Sequence, residues 1–586
     1  MKTFFKIFFA SFLALVIFTI IGIFILNRII DDAVEPEKRI VEAKTVLVID
    51  LSKPLLEQKT ESGLSFPEGQ TASVNGLFDV VRAIKFAGTD SAVKGIYIKC
   101  AANPNGFATS EELRNALIAF KQSKKFVIAY SNTISQQAYY IANTADKLYC
   151  HPQGMLDWQG FSMQYTFFKG MLDKLEIKPE IFYAGQFKSA TEPYREKQMT
   201  PASRLQSMVF LNEMYSMFLL AAANKTGVDT ATLHLLADGL MIRKASDAMQ
   251  YKLIDGLKYD DEVKEEIQAK IGLAKTDKIP FMTVADYIKA VDWKGAKREN
   301  KIALIYAEGE IVDGQGEDEE IGGNRYMDLI RKARLDNDIK AVVLRINSGG
   351  GSAMASEIIW REVTLTRKEK PVIVSVGDYA ASGAYYIACN ADSIFAQPNT
   401  LTGSIGVFSI YGNITGLMNN KLGITFDGVK TSPYADFGSA FRPMTDKEKQ
   451  VAQAGVDSIY MTFKTRVSEG RHIPLPYVDS IARGRIWSGR QAIKLKLIDR
   501  IGNLQDAIDC AARMAKLKNY QLKELPVTQN FWDKIFSLKD SKPSVKTNLL
   551  HAGLGEENDL LLKQISTVKS WFGNTQMRLP FFVKVH

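Results

Sequence analysis

Val372-Ile-Val-Ser-Val-Gly-Asp-Tyr-Ala-Ala-Ser-Gly-Ala-Tyr-Tyr-Ile-Ala388 changes character in its middle. The β-branched run Val372 to Val376 reads as a buried strand. After Gly377-Asp378, the small residues Ala380-Ala381-Ser382-Gly383 open a helix-like segment. A strand feeding directly into a helix is the unit of an α/β fold with parallel pairing. A serine at that junction exposes its hydroxyl close to helix N-terminal N–H groups, as a nucleophile needs if an oxyanion is to be held. An N-cap serine occupies the same place. The rest of the chain separates the two readings.

At offset 246 the chain aligns with itself. Asp90-Ser-Ala-Val-Lys-Gly-Ile-Tyr-Ile-Lys99 lies over Asp336-Asn-Asp-Ile-Lys-Ala-Val-Val-Leu-Arg345, and Ala138-Tyr-Tyr-Ile-Ala142 over Ala384-Tyr-Tyr-Ile-Ala388. Ser110-Glu111 matches Ser356-Glu357, Pro152 matches Pro398, and Gly160 matches Gly406. A domain of roughly 220 residues is duplicated in tandem, a length that excludes a short solenoid repeat. Each copy reads strand, strand, helix, strand: Thr45 to Leu51, Gly95 to Lys99, Ser110 to Lys121 and Phe126 to Tyr130, against Ile302 to Tyr306, Ala341 to Ile346, Ala355 to Lys368 and Val372 to Val376. The repeats are expected at 44–285 and 301–520, with a C-terminal extension at 521–586 that carries no nameable chemistry.

The 586 residues exceed what one core holds. A net charge of +9 is spread along the chain, with no dense basic stripe, so nucleic-acid binding is not indicated. Four scattered cysteines form no CxxC pair, and no zinc-ligand spacing is present. Ile7 to Leu26 is an uncharged run of 20 residues, long enough to span a bilayer. Lys2 and Lys6 precede it and no Ala-x-Ala site follows, which predicts an uncleaved anchor at 7–26 with the N-terminus cytoplasmic.

The copies differ where chemistry would sit. Ser382-Gly383 of the second is Gln136-Gln137 in the first, and the turn Asn347-Ser-Gly-Gly-Gly-Ser352 is Ala101-Ala-Asn-Pro-Asn-Gly106. Glycines there let backbone N–H groups face a ligand. The turn lacks the lysine and spacing of a phosphate loop. None of the five histidines lies in a segment the duplication marks out. A lysine whose pKa is lowered by burial is the alternative base. The first copy carries Phe187-Lys188-Ser-Ala-Thr-Glu-Pro-Tyr194, where the second has alanine near Ala435 in place of Lys188.

Together, Asp378-Tyr-Ala-Ala-Ser-Gly383, Leu401-Thr-Gly-Ser-Ile-Gly406, the Asn-Ser-x-Gly-Gly-Ser turn and the Lys188 motif resemble the signal peptide peptidase A family, in its long, two-domain, membrane-anchored bacterial form. The resemblance spans essentially the whole chain. It implies tandem Clp-protease/crotonase-like α/β domains and a serine endopeptidase with a Ser–Lys dyad. It also implies a homotetramer on the extracytoplasmic side of the bacterial inner membrane that degrades peptides left from cleaved signal sequences. By motif, Ser382 is the nucleophile and Lys188 the base. Gly383 with Gly350 or Gly351 would supply the oxyanion N–H donors, and Ser404 would orient the lysine. No cofactor or metal is needed. One departure is Gly349, where the family has proline. The complementary losses, serine from one copy and lysine from the other, fit a duplicated enzyme that needs both halves. Acyl-CoA chemistry on a crotonase-like fold and a non-enzymatic membrane scaffold are the competing readings.

Overall fold

The structure, a computed structural model, describes residues 40–64, 71–291, 298–527 and 575–579, together with residues 11, 15, 18 and 22. The anchor expected at 7–26 therefore lies outside the described residues apart from four isolated positions. Among the described residues no helix is long and apolar enough to cross a membrane.

Each repeat is built on a parallel sheet, and the two sheets have matching strand orders. The first runs Gly256–Leu257, Lys147–Leu156, Phe126–Ile134, Val93–Lys99, Thr45–Asp50, Phe281–Thr283. The second runs Arg500–Ile501, Ser393–Ala396, Val372–Ala381, Ile339–Ser348, Lys301–Glu308, Gln521–Leu525. The second sheet thus takes its edge strand from residues that the sequence alone assigns to the C-terminal extension. The central strands are apolar on both faces, as a parallel sheet covered by helices requires. Ala303, Val342, Val374 and Ile394 enter one core layer of the second repeat, and Ile302, Ala341, Val343 and Ile373 enter the other.

The strand Val372–Ala381 continues through Gly377-Asp378 and does not stop at Val376. Tyr379–Ala381 pair with Leu401–Gly403, and this pairing carries the strand to the edge of Ser382. The helix then runs from Gly383 to Ala388.

The repeats are tied together by buried polar contacts. Arg345, fully buried in the second sheet, reaches Glu57 at 2.7 Å and Glu112 at 2.8 Å in the first repeat. Asp378 Oδ1 accepts from the N–H groups of Ala108 and Thr109, at the start of the helix Phe107–Lys121. Phe78 of the first repeat packs into a core layer of the second.

A third sheet crosses the boundary between the repeats. Its order is Glu320–Gly322, Glu310–Val312, Gly350–Ser352, Thr575–Arg578, Val407–Tyr411, Glu180–Ala184. The last strand belongs to the first repeat and lies antiparallel to Val407–Tyr411 of the second, with Ala184 opposite Val407 and Glu180 opposite Tyr411.

Candidate active site

The crossing strand Glu180–Ala184 delivers Lys188. After it the chain turns at Gly185, and Phe187 N–H bonds to Arg483 O at 2.9 Å, so the lysine loop is fastened to the second repeat. Gly484 allows the approach. A Cβ there would fall 2.6 Å from Lys188 N and 2.8 Å from its Cα, and the residue's φ of +78° favours glycine besides.

Lys188 is 1% exposed and its Nζ lies 2.7 Å from Ser382 Oγ, although the residues are 194 apart in sequence. Nζ is also 3.1 Å from Ser404 Oγ and 3.3 Å from Ser404 O. Burial pushes the ammonium well below the ordinary lysine range, and the nearby Arg578 guanidinium adds to the effect. A lysine in that environment loses its proton readily and can take one from the serine hydroxyl.

Ser382 is fully buried, with φ +57° and ψ −116°, and its hydroxyl caps nothing. Ser404 also has positive φ, +49°. Backbone held this way in a non-glycine residue costs about 1–3 kcal/mol. It aims Ser382 Oγ at the lysine and away from the helix N–H groups that an N-cap would serve. Ser382 N–H is fixed on Gly403 O at 2.8 Å, and Ser404 N–H on Arg485 O at 2.7 Å.

The expected oxyanion glycines come together beside Ser382. Gly350 has φ +100°, and a Cβ on it would lie 2.8 Å from Gly383 N. A Cβ on Gly383 would lie 3.2 Å from Gly351 N. Gly350 N–H itself donates to Ser348 Oγ at 3.1 Å. The structure therefore brings Lys188, Ser382, Ser404, Gly383, Gly350 and Gly351 into one place.

Three participants escaped the sequence reading. The loop at Arg483–Arg485 had only its glycine as a signal. The pairing of Glu180–Ala184 with Val407–Tyr411 has no local signature. The strand Thr575–Arg578, inserted beside Gly350–Ser352, lies in a stretch that reads as featureless.

The profile of peptidase family S49 matches residues 119–274 and 364–518, one block in each repeat. Protease 4 of Salmonella typhi is 35% identical over 459 residues, covering 76% of this chain and 73% of that protein. The chloroplastic serine protease SPPA of Arabidopsis thaliana is 29% identical, covering 79% of this chain and 67% of that protein. A candidate signal peptide peptidase SppA of Enterococcus faecium is 34% identical across 37% of this chain and 64% of its own length. With the profile present in both repeats and this coverage of full-length relatives, the chain belongs to peptidase family S49, as a serine endopeptidase with two tandem S49 domains.

Proposed function

We propose that Ser382 and Lys188 form the catalytic dyad, one residue from each repeat of the same chain. The observation that carries this is the buried Lys188 amine 2.7 Å from Ser382 Oγ, in surroundings that push its pKa down. With the lysine neutral, the hydroxyl donates to Nζ. As Oγ bonds to the substrate carbonyl carbon, its proton passes to Nζ, and the charge that develops on the carbonyl oxygen meets N–H donors beside Gly383, Gly350 and Gly351. Collapse breaks the peptide C–N bond, and the departing amine takes the proton from Nζ. A water molecule, deprotonated by the same lysine, then hydrolyses the ester. Ser404 positions the amine through its Oγ and carbonyl oxygen.

The substrates proposed are peptides, in particular the remnants of cleaved signal sequences. This rests on the family resemblance and on the name of the Enterococcus faecium relative. Residues 7–26 would anchor the chain in the bacterial inner membrane with both repeats on the extracytoplasmic side, on the strength of the uncharged run and its flanking lysines. A homotetramer is proposed on the family resemblance alone; the exposed apolar side chains Phe426, Val429, Tyr434 and Phe437 of the second repeat are surface that association could cover.

The test is intact-mass analysis and peptide mapping after treatment with a serine-directed phosphonate. One adduct, on Ser382, with label lost in both Ser382→Ala and Lys188→Ala, is the expected result. An adduct elsewhere, or full labelling of Lys188→Ala, refutes the dyad.

A further inference from the structure

The strand Thr575–Arg578 occupies the position in which a peptidase of this geometry would hold its substrate. It runs antiparallel to Gly350–Ser352, with Arg578 opposite Gly350, Met577 opposite Gly351 and Gln576 opposite Ser352. On its other side Gln576 and Thr575 pair with Phe408 and Ser409. Leu579 N–H continues the ladder to Gly349 O at 2.7 Å. An extended segment clamped between two strands is peptide recognition by strand addition: backbone bonds supply affinity, and pockets for alternate side chains supply choice.

The register is informative. The Met577 carbonyl oxygen stands over the two glycines beside the nucleophile: a Cβ on Gly350 would lie 2.1 Å from it and one on Gly383 3.0 Å. The Met577 carbonyl oxygen therefore lies beside the glycines expected to hold an oxyanion. The Met577 side chain is buried in the same core layer as Ile311, Val407 and Ala184. The Arg578 side chain crosses Gly350, which has no side chain to obstruct it, and pairs with Glu310 on the next strand. Its Nε also donates to Gln576 Oε1 at 3.2 Å.

Resting on the catalytic reading above, we propose that residues Thr575–Leu579 are a resident occupant of the substrate cleft, and that Glu310 is a specificity-determining residue that selects a basic side chain directly after a buried apolar one. The occupant competes with substrate as an intramolecular ligand, so its local concentration is high and it must leave before a peptide enters. A charged pair in a water-poor cleft discriminates against a neutral side chain of the same shape, because the carboxylate would then lose its partner.

The experiment uses the full-length chain and two fluorogenic peptides that differ only in carrying arginine or its neutral isostere citrulline after methionine. The wild-type chain is expected to favour the arginine peptide in kcat/KM on the order of tenfold. Glu310→Gln is expected to abolish that preference. Met577→Pro breaks the strand's pairing, and Arg578→Glu sets like charges opposite each other without touching the buried methionine. Each is expected to lower KM for the citrulline peptide several-fold. Equal cleavage of the two peptides by wild type, or an equal loss on both in Glu310→Gln, overturns the role of Glu310. An unchanged KM in a folded Arg578→Glu chain overturns the resident occupant. Binding of the same two peptides to a Ser382→Ala, Arg578→Glu chain, read by fluorescence anisotropy, gives the arginine-over-citrulline ratio without any chemistry. If the dyad assignment alone is wrong, that ratio persists; if Glu310 is not the selector, it falls to one.

Discussion

Ser382 in the second repeat and Gln136 in the first stand at the same point of the same fold, with opposite local energetics. In the first, Ser135 caps the following helix, its side chain accepting from Ala138 N–H at 3.2 Å. Gln136 is fully occupied: Nε2 donates to Gly160 O at 2.9 Å, and Oε1 accepts from the N–H groups of Gln159 and Gly160. In the second, the helix is uncapped and Ser382 has positive φ. Pro104 takes the place of Gly350, so the first repeat lacks the glycine whose positive φ shapes the turn beside Ser382. The space beside Gln136 remains a cavity of about 830 Å3, whereas in the second repeat Met577 is paired opposite Gly351. One copy has relaxed into stable local structure; the other keeps an uncapped helix and strained backbone around its serine. The difference suggests where the enzyme gives up stability for reactivity.

The largest effect should come from trying to erase the distinction. Lys188→Ala and Ser382→Ala should each lower peptide hydrolysis by about 10²–10⁴-fold. Gln136→Ser with Gln137→Gly, added to Ser382→Ala, should restore nothing, because no lysine is among the described residues that line that cavity; recovered hydrolysis would break the comparison. The lysine also has a pH signature. Its folded pKa is depressed by burial, so the acid limb of kcat/KM should rise below the ordinary lysine range near ~10.4. Between the lowered folded pKa and ~10.4 the unfolded chain binds the extra proton, so this group's contribution to stability improves as pH climbs. Lys188→Met should therefore melt higher than wild type at neutral pH, with the gap closing towards ~10.4.

A smaller effect probes the join between the copies. Arg345→Met leaves Glu57 and Glu112 buried without their cation and should cost about 3–5 kcal/mol in denaturant unfolding. Burial pushes the Glu112 carboxyl up to about 7 and Glu308 up to about 8. Folded pKa values above the unfolded ones stabilise fully below about 4.3, and that benefit is lost as pH rises through about 7–8. The cost of Arg345→Met should accordingly be larger at pH ~8 than at pH ~5. A cost independent of pH would mean that these carboxyls are already ionised in the fold.

The smallest effect has opposite signs in the two repeats. Ser382→Gly relieves the positive φ and should stabilise by about 1 kcal/mol. Gln136→Ala strands the Gln159 and Gly160 N–H groups and should destabilise by about 1–2 kcal/mol. Melting curves of both variants read the pair, and two changes of the same sign would contradict the relaxed-versus-strained account.

The duplication made the two parallel sheets legible, because strands apolar on both faces and a strand-to-helix junction are local patterns that recur at a fixed offset. Lys188 and Ser382 could be singled out because the copies differ there. What stayed hidden depends on pairing between distant segments. Arg345 aligns with Lys99, and nothing in its neighbourhood announces that it is buried between Glu57 and Glu112. Thr-Gln-Met-Arg at 575–578 has no run of β-formers. Its strand character comes from the walls on either side of it, and no sequence window contains those walls.

The strand Glu180–Ala184 has a consequence for the order of events as the chain is made. It emerges from the ribosome more than 200 residues before its partner Val407–Tyr411, and until then Lys188 has no serine to face. Pairing so distant in sequence is a late event in folding. On the proposed dyad, a half-synthesised chain is therefore catalytically silent, so the growing polypeptide and whatever handles it are protected by topology alone.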